Sequence, residues 1–222
     1  MNAKRNLRLL TGVAVAIAAA TAHAGMQQDL DNLEHRWAAI SYQTPAREQE
    51  AAFDKLAARA GQLADTYPKQ AEPLVWQAIV LSSEANAEGG LGALSKVKHA
   101  RKLLLAAEKI DPTAMDGSIY CSLGSLYAKV PGWPLGYGDK KKAAEYFKKA
   151  LAIDPNGIDN NFFYADMLAD EGDYTAAARH LEKALAAPPR PDRADADMGR
   201  RQQAQQLLNK LKQKHGEQLS GI

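Results

Sequence analysis

The chain of 222 residues has one cysteine, Cys121, together with four phenylalanines and three tryptophans. A lone thiol forms no internal disulfide, so the fold must be held by packing even in an oxidising compartment. Beyond Gly25 there is no run of about 18 apolar residues, the length that crossing a bilayer requires. A phosphate-binding loop, a G-x-S-x-G elbow, an H-E-x-x-H motif and a Cys-x-x-Cys pair are all missing. His23, His35, His99, His180 and His215 are scattered on separate segments, which suits solvated or half-buried side chains better than metal ligands. The sequence is therefore read as non-enzymatic, with no cofactor and no metal expected.

What is present begins with an export signal. Lys4, Arg5 and Arg8 precede a small or apolar stretch from Leu9 to Ala20, and Ala22-His23-Ala24 has the form of a cleavage site. Residues 1–24 are thus expected to be a cleaved Sec-type signal peptide, and the mature protein is expected in the periplasm. Gly25 stands where a lipid-carrying cysteine would follow the cut, so lipid anchoring is not expected. Loss of three cations and no acid takes the formal charge from +2 to about −1. A near-neutral mature chain has no overall electrostatic footprint for nucleic acid or for an anionic membrane, and both are set aside.

The mature sequence is alanine-rich and periodic. Residues 117–155 and 158–189 align as two copies of one pattern. In each, small or large residues recur at i, i+1 and i+4: Leu123, Gly124 and Tyr127 in one copy, Tyr164, Ala165 and Leu168 in the other. A Gly-Asp turn follows, and a second helix presents Ala143, Phe147 and Ala150, or Ala177, Leu181 and Ala184. A small residue lets two helices approach while large ones fill the space between them. Gly138 and Gly172 are expected to permit tight turns, and Asp139 and Asp173 to cap the helices that follow. A third copy runs from Leu74, Ala78 and Leu81 to Ala100, Leu104 and Ala107, with about ten extra residues around its turn. The copy containing Trp133 has about seven.

This pattern resembles the tetratricopeptide repeat (TPR) family over about residues 45–190. The resemblance implies an all-α, TPR-type solenoid of about four helix pairs. Residues 25–68 would form a divergent N-terminal pair and 69–192 the repeats with their insertions. Residues 193–222 would form a capping helix and tail, with Met198, Leu207, Leu208 and Leu211 on the apolar face.

In stacked repeats the first helices line a concave groove. The residues placed there are Val75, Ile79, Ser82, Ser118, Cys121, Ser122, Ser125, Asp159, Phe162 and Asp166. Cys121 reads as a packing residue, a reactive thiol being the alternative. Asp166 and Asp170 lie four apart and repel unless a cation meets them. Lys140, Lys141 and Lys142 read as solvated, with an acidic partner as the alternative. The least generic segment is Pro131-Gly132-Trp133-Pro134-Leu135-Gly136-Tyr137. Its Trp133 and Tyr137 either contact a partner or cover their own repeat.

The run from Pro131 to Leu168, followed by Gly172-Asp173-Tyr174 and by Ala187-Pro188-Pro189-Arg190-Pro191, is similar to the T-components of tripartite ATP-independent periplasmic (TRAP) transporters. That resemblance covers residues 70–200. It implies a periplasmic scaffold for a protein or peptide partner, a solute-binding protein of the transport system, held through the groove and the Trp133 loop. A small-ligand module with an apolar pocket is the alternative.

Overall fold

A computed structural model of the chain describes residues 24–219, and the expected signal peptide lies almost wholly outside them. Among the described residues the chain is entirely helical between its turns. A first helix, α1, covers residues 24–43. It is followed by α2 (Ala46–Thr66), α3 (Ala71–Glu88), α4 (Ala93–Ile110), α5 (Ser118–Lys129), α6 (Lys140–Ile153), α7 (Ile158–Asp170), α8 (Tyr174–Ala186) and α9 (Ala194–Leu219). One 3₁₀ turn, Pro191–Arg193, precedes α9.

The periodic pattern becomes the core. Ala100, Leu104 and Ala107 of α4, Ala143, Phe147 and Ala150 of α6, and Ala177, Leu181 and Ala184 of α8 are all fully buried. The same register thus recurs in three successive hairpins, giving an all-α, solenoid-like stack. Gly124 shows why the small positions matter, since a Cβ there would meet the Phe147 ring at 3.0 Å. The Asp139 carboxylate accepts from the Lys142 amide at 3.0 Å, and that of Asp173 from the Ala176 amide at 3.0 Å. Both aspartates are therefore N-caps of the helices they precede. Gly172 sits at φ 84°, as a tight turn requires. Gly138 serves differently: a Cβ there would lie 1.9 Å from the Val130 carbonyl oxygen, so its role is close backbone approach.

Three details depart from expectation. The extra residues around the turn of the third copy do not form a loop; α3 and α4 are each 18 residues long, and Gly89–Gly92 alone separates them. Val75, expected in an open groove, is fully buried, because α3 is covered on two sides. Val75 and Ala78 join the main core, while Trp76 and Val80 join a second cluster with Met26, Leu30, Leu33, Trp37, Phe53 and Leu56. Met198, expected on the apolar face of the last helix, is 67% exposed, whereas Leu208 and Leu211 are buried as expected.

The last helix does more than cap α8. Its outer half stacks on that hairpin, with His215 flat against Tyr174 and Lys212 3.7 Å from Glu182. Its first turns reach back to α1 instead. His35 Nδ1 lies 2.9 Å from the Asp195 carboxylate, Arg193 donates to Glu34, and Ala196 enters the N-terminal cluster. Gly199 faces Tyr42 so closely that a Cβ would sit 2.3 Å from the ring. The stack is thereby closed on itself by contacts between segments about 160 positions apart.

Candidate functional site

Closure decides how much of the expected groove is open. Where α9 meets α7, Arg200 donates to Asp159 at 2.8 Å and lies over the rings of Phe162 and Phe163, 4.7 and 4.3 Å from their centroids. Arg190 bonds Asp159 at 3.0 Å and Asp197 at 2.5 Å, and Arg201 approaches Asp197 at 3.7 Å. Burial raises the pKa of the Asp159 carboxyl, but Arg200, Arg190 and Arg193 outweigh it and hold the group well below the usual carboxylate range. Glu34 goes the other way: burial raises its pKa more than Arg193 lowers it.

The residues expected to share one groove therefore divide. Phe162 and Asp159 lie under α9, and Val75 and Cys121 are buried. Burial pushes the Cys121 thiol far up, and Asp159 adds to the shift, so it packs as a small apolar group and carries no thiolate character. Ile79, Ser82, Ser118, Ser122 and Ser125 are half-buried. The hydroxyls of Ser82 and Ser125 are spent on the carbonyls of Ala78 and Cys121. Asp166 and Asp170 meet their cation in Lys129, at 2.7 and 2.6 Å, which makes the pair a clamp between α5 and α7.

What remains open is a cleft of about 550 Å³ at the end of the layer where α3, α5 and α7 begin. Ser118 and Asp159 line it, together with residues that the sequence did not mark. Leu30, Trp76, Met115 and Ile158 give it an apolar floor, and Asp31, Glu72, Asp116 and Asp154 surround that floor with carboxylates. Arg190 and Arg193 also face the cleft, but both are engaged by acids of the closure. The free charge of the cleft is therefore negative.

The walls are fixed by asparagines. Asn160 Nδ2 donates to the carbonyls of Asp116 and Asp154, joining the turn before α5 to the turn before α7. Asn161, fully buried, donates to the carbonyls of Pro155 and Gly157 and takes its last bond from His180 at 2.8 Å. Met115, Asp116 and Gly117 form a left-handed run, at φ 56°, 51° and 84°, which carries Met115 and Asp116 into the cleft wall.

The Trp133 loop stands elsewhere. It joins the end of α5 to the start of α6, whereas Ser118 and Asp154, at the other ends of those helices, line the cleft. Twelve residues of α5 separate the two by about 18 Å. The two aromatics of the loop are used differently. The Tyr137 hydroxyl donates to the Val97 carbonyl at 2.8 Å, with its ring edge-on to Tyr127 and under Arg101. Trp133 is 89% exposed and Leu135 is 60% exposed. Tyr137 covers its own repeat, and Trp133 does not.

The sequence carries one signal for the closure. Residues 190–201 crowd Arg190, Arg193, Arg200 and Arg201 among Asp192, Asp195 and Asp197, a run that reads as a solvated face. Among the described residues, no helix is long and apolar enough to cross a membrane. Compared with known families, residues 24–214 match the model described as TRAP transporter T-component. No curated protein matches the chain.

Proposed function

Because the chain belongs to the TRAP transporter T-component family, we propose that it serves such a transport system as a periplasmic adaptor that holds a solute-binding protein. The single observation in the structure that supports the adaptor reading is the acidic cleft. It combines an apolar floor with four carboxylates, Asp31, Glu72, Asp116 and Asp154, that form no salt bridge among the described residues. A protruding partner segment with an apolar tip and basic flanks fits that combination by charge and by hydrophobic burial. This face takes over the role that the sequence assigned to the whole groove.

A photo-crosslinking side chain placed at Glu72, which lines the same cleft, tests it in intact cells. The expected product is a covalent adduct with a solute-binding protein, lost when Asp116 and Asp154 are both replaced by lysine. Absence of any adduct from a chain present at normal level would remove the reading.

The volume of the cleft favours a second reading, since about 300–1,000 Å³ suits a small ligand. Under that reading the apolar floor, rather than the rim, would dominate. A thermal shift with periplasmic small-molecule extract then separates the two, because a small ligand stabilises the isolated protein and a protein partner is absent from the extract.

A further inference from the structure

Among the described residues, five large apolar side chains remain exposed: Leu91, Ile110, Trp133, Leu135 and Met198. Three of them share one end of the helix layer. Leu91 lies in the turn between α3 and α4, and Trp133 and Leu135 lie in the turn between α5 and α6. The Tyr137 bond to Val97, in the second turn of α4, ties these neighbouring turns together. Leu91 is 78% exposed, so all three tips stand clear of the protein.

The loop that carries Trp133 is held in shape. Gly136 N donates to the Gly132 carbonyl at 3.1 Å, Gly138 N to the Pro131 carbonyl at 2.9 Å, and Asp139 N to the Tyr127 carbonyl at 2.9 Å. A side chain on Gly136 or Gly138 would collide with Pro131 or Val130. The backbone that carries Trp133 is thus held in one shape, and the indole itself stands 89% exposed.

Cations flank the Trp133 and Leu135 tips, whereas beside the Leu91 turn Lys96 is taken up by Glu84 and Glu88. α6 begins with Lys140, Lys141 and Lys142, all exposed, and its one acid is Glu145. Asp139 spends its carboxylate on the Lys142 amide. Lys98 is exposed beside the Val97 anchor, and Arg101 lies over Tyr137. The patch stops at the turn between α7 and α8, where Glu171 and Asp173 stand. The near-zero net charge of the mature chain conceals this local excess, which is why composition argued against it.

We infer that this end of the molecule docks on an anionic lipid bilayer, with Trp133, Leu135 and Leu91 at headgroup depth and Lys140, Lys141, Lys142 and Lys98 above them. A protein partner fits the patch less well. One exposed tryptophan contributes about 150–250 Å², and the leucine tips are separated, whereas a specific interface takes about 800 Å² from each partner. Isolated aromatic and leucine tips ringed by flexible lysines suit the bilayer boundary, where an indole sits at headgroup level and each lysine adds to attraction by anionic lipid. Docking at this end leaves the acidic cleft, at the opposite ends of α5 and α6, facing away from the membrane.

The test uses the chain from Gly25, which contains every folded element described. It is sedimented with vesicles of phosphatidylcholine and phosphatidylglycerol, and with phosphatidylcholine alone. Binding to the anionic vesicles only, weakening as salt rises, is expected. Acrylamide quenching of tryptophan should fall on binding, because Trp37 and Trp76 are buried and Trp133 dominates the accessible signal. Trp133→Ala with Leu135→Ala should abolish sedimentation without changing the melting temperature. Lys140→Gln should weaken it roughly five-fold, and adding Lys141→Gln by a similar factor. Three results would overturn the inference: no anionic-vesicle binding at low salt, binding unchanged in the Trp133 and Leu135 variant, or a protein captured through position 133 in cells while vesicles leave the chain in solution.

Discussion

The stacked hairpins from α4 to α8 and the closure between α1 and α9 are two ways of joining helices. In the stack, neighbours meet through alanine, glycine and large apolar side chains, such as Gly124 under Phe147 and the fully buried Leu181. In the closure, Arg190 and Arg200 hold Asp159 and Asp197, Arg193 meets Glu34, and His35 meets Asp195. Apolar contacts are non-directional and tolerate small shifts, whereas buried charges demand specific partners. The stack therefore supplies bulk stability, and the closure fixes which surface is covered and which remains open as the cleft.

Substitutions on each side should separate these contributions. Phe147→Ala removes the largest fully buried side chain and should lower stability by about 3–5 kcal/mol, read as a loss of global unfolding free energy in urea. Arg200→Ala strips Asp159 of one of its cations while Arg190 remains at 3.0 Å. The loss should be about 2–3 kcal/mol, below the ~3–5 kcal/mol of a wholly orphaned buried charge. Hydrogen exchange should then show faster opening at α1 and α9 than in α6. If exchange rises equally everywhere, closure and stack are one cooperative unit and the distinction fails.

The smallest effect is the one that depends on pH. The hydrogen bond to Asp195 raises the His35 pKa above its ordinary value, since it favours the charged ring. Its stabilisation is fully present below the unfolded pKa near 6.5 and is lost as pH rises through the raised folded value. His35→Ala should therefore weaken the protein at pH 5 and leave it unchanged at pH 9. Since His35 is 54% exposed, solvent screening limits the difference to about 0.5 kcal/mol. An equal effect at both values would mean that the ring packs without its charge mattering.

The two regions also differ in what their sequence disclosed. Hairpins with one buried stripe announce themselves by period, and Asp139 and Asp173 marked their caps by type and place. α3 was obscured because two of its faces are buried, so Val75 could not be told from a groove residue. The closure was hidden for a different reason. An Arg and Asp run has the composition of a solvated surface, and only folding brings Glu34 and His35 to it. In the loop, proline and glycine indicated a fixed shape, but which aromatic turned inward depended on the Val97 carbonyl, 40 positions away. The cleft depended on turns, above all the left-handed run from Met115 to Gly117, where aspartate and glycine tolerate that conformation but methionine gives no sign of it.

The closure also imposes an order on the making of the protein. The chain emerges with Glu34 and His35 about 160 residues before Arg193 and Asp195, so the hairpins can form progressively while the first helix, packed on α2 and α3, still lacks its contacts to the last. Long-range pairing of this kind is slow to be satisfied and comes last. A chain cut short before residue 190 would keep its repeats and expose the face of α1 around Glu34 and Tyr42, giving quality control a surface that complete molecules hide.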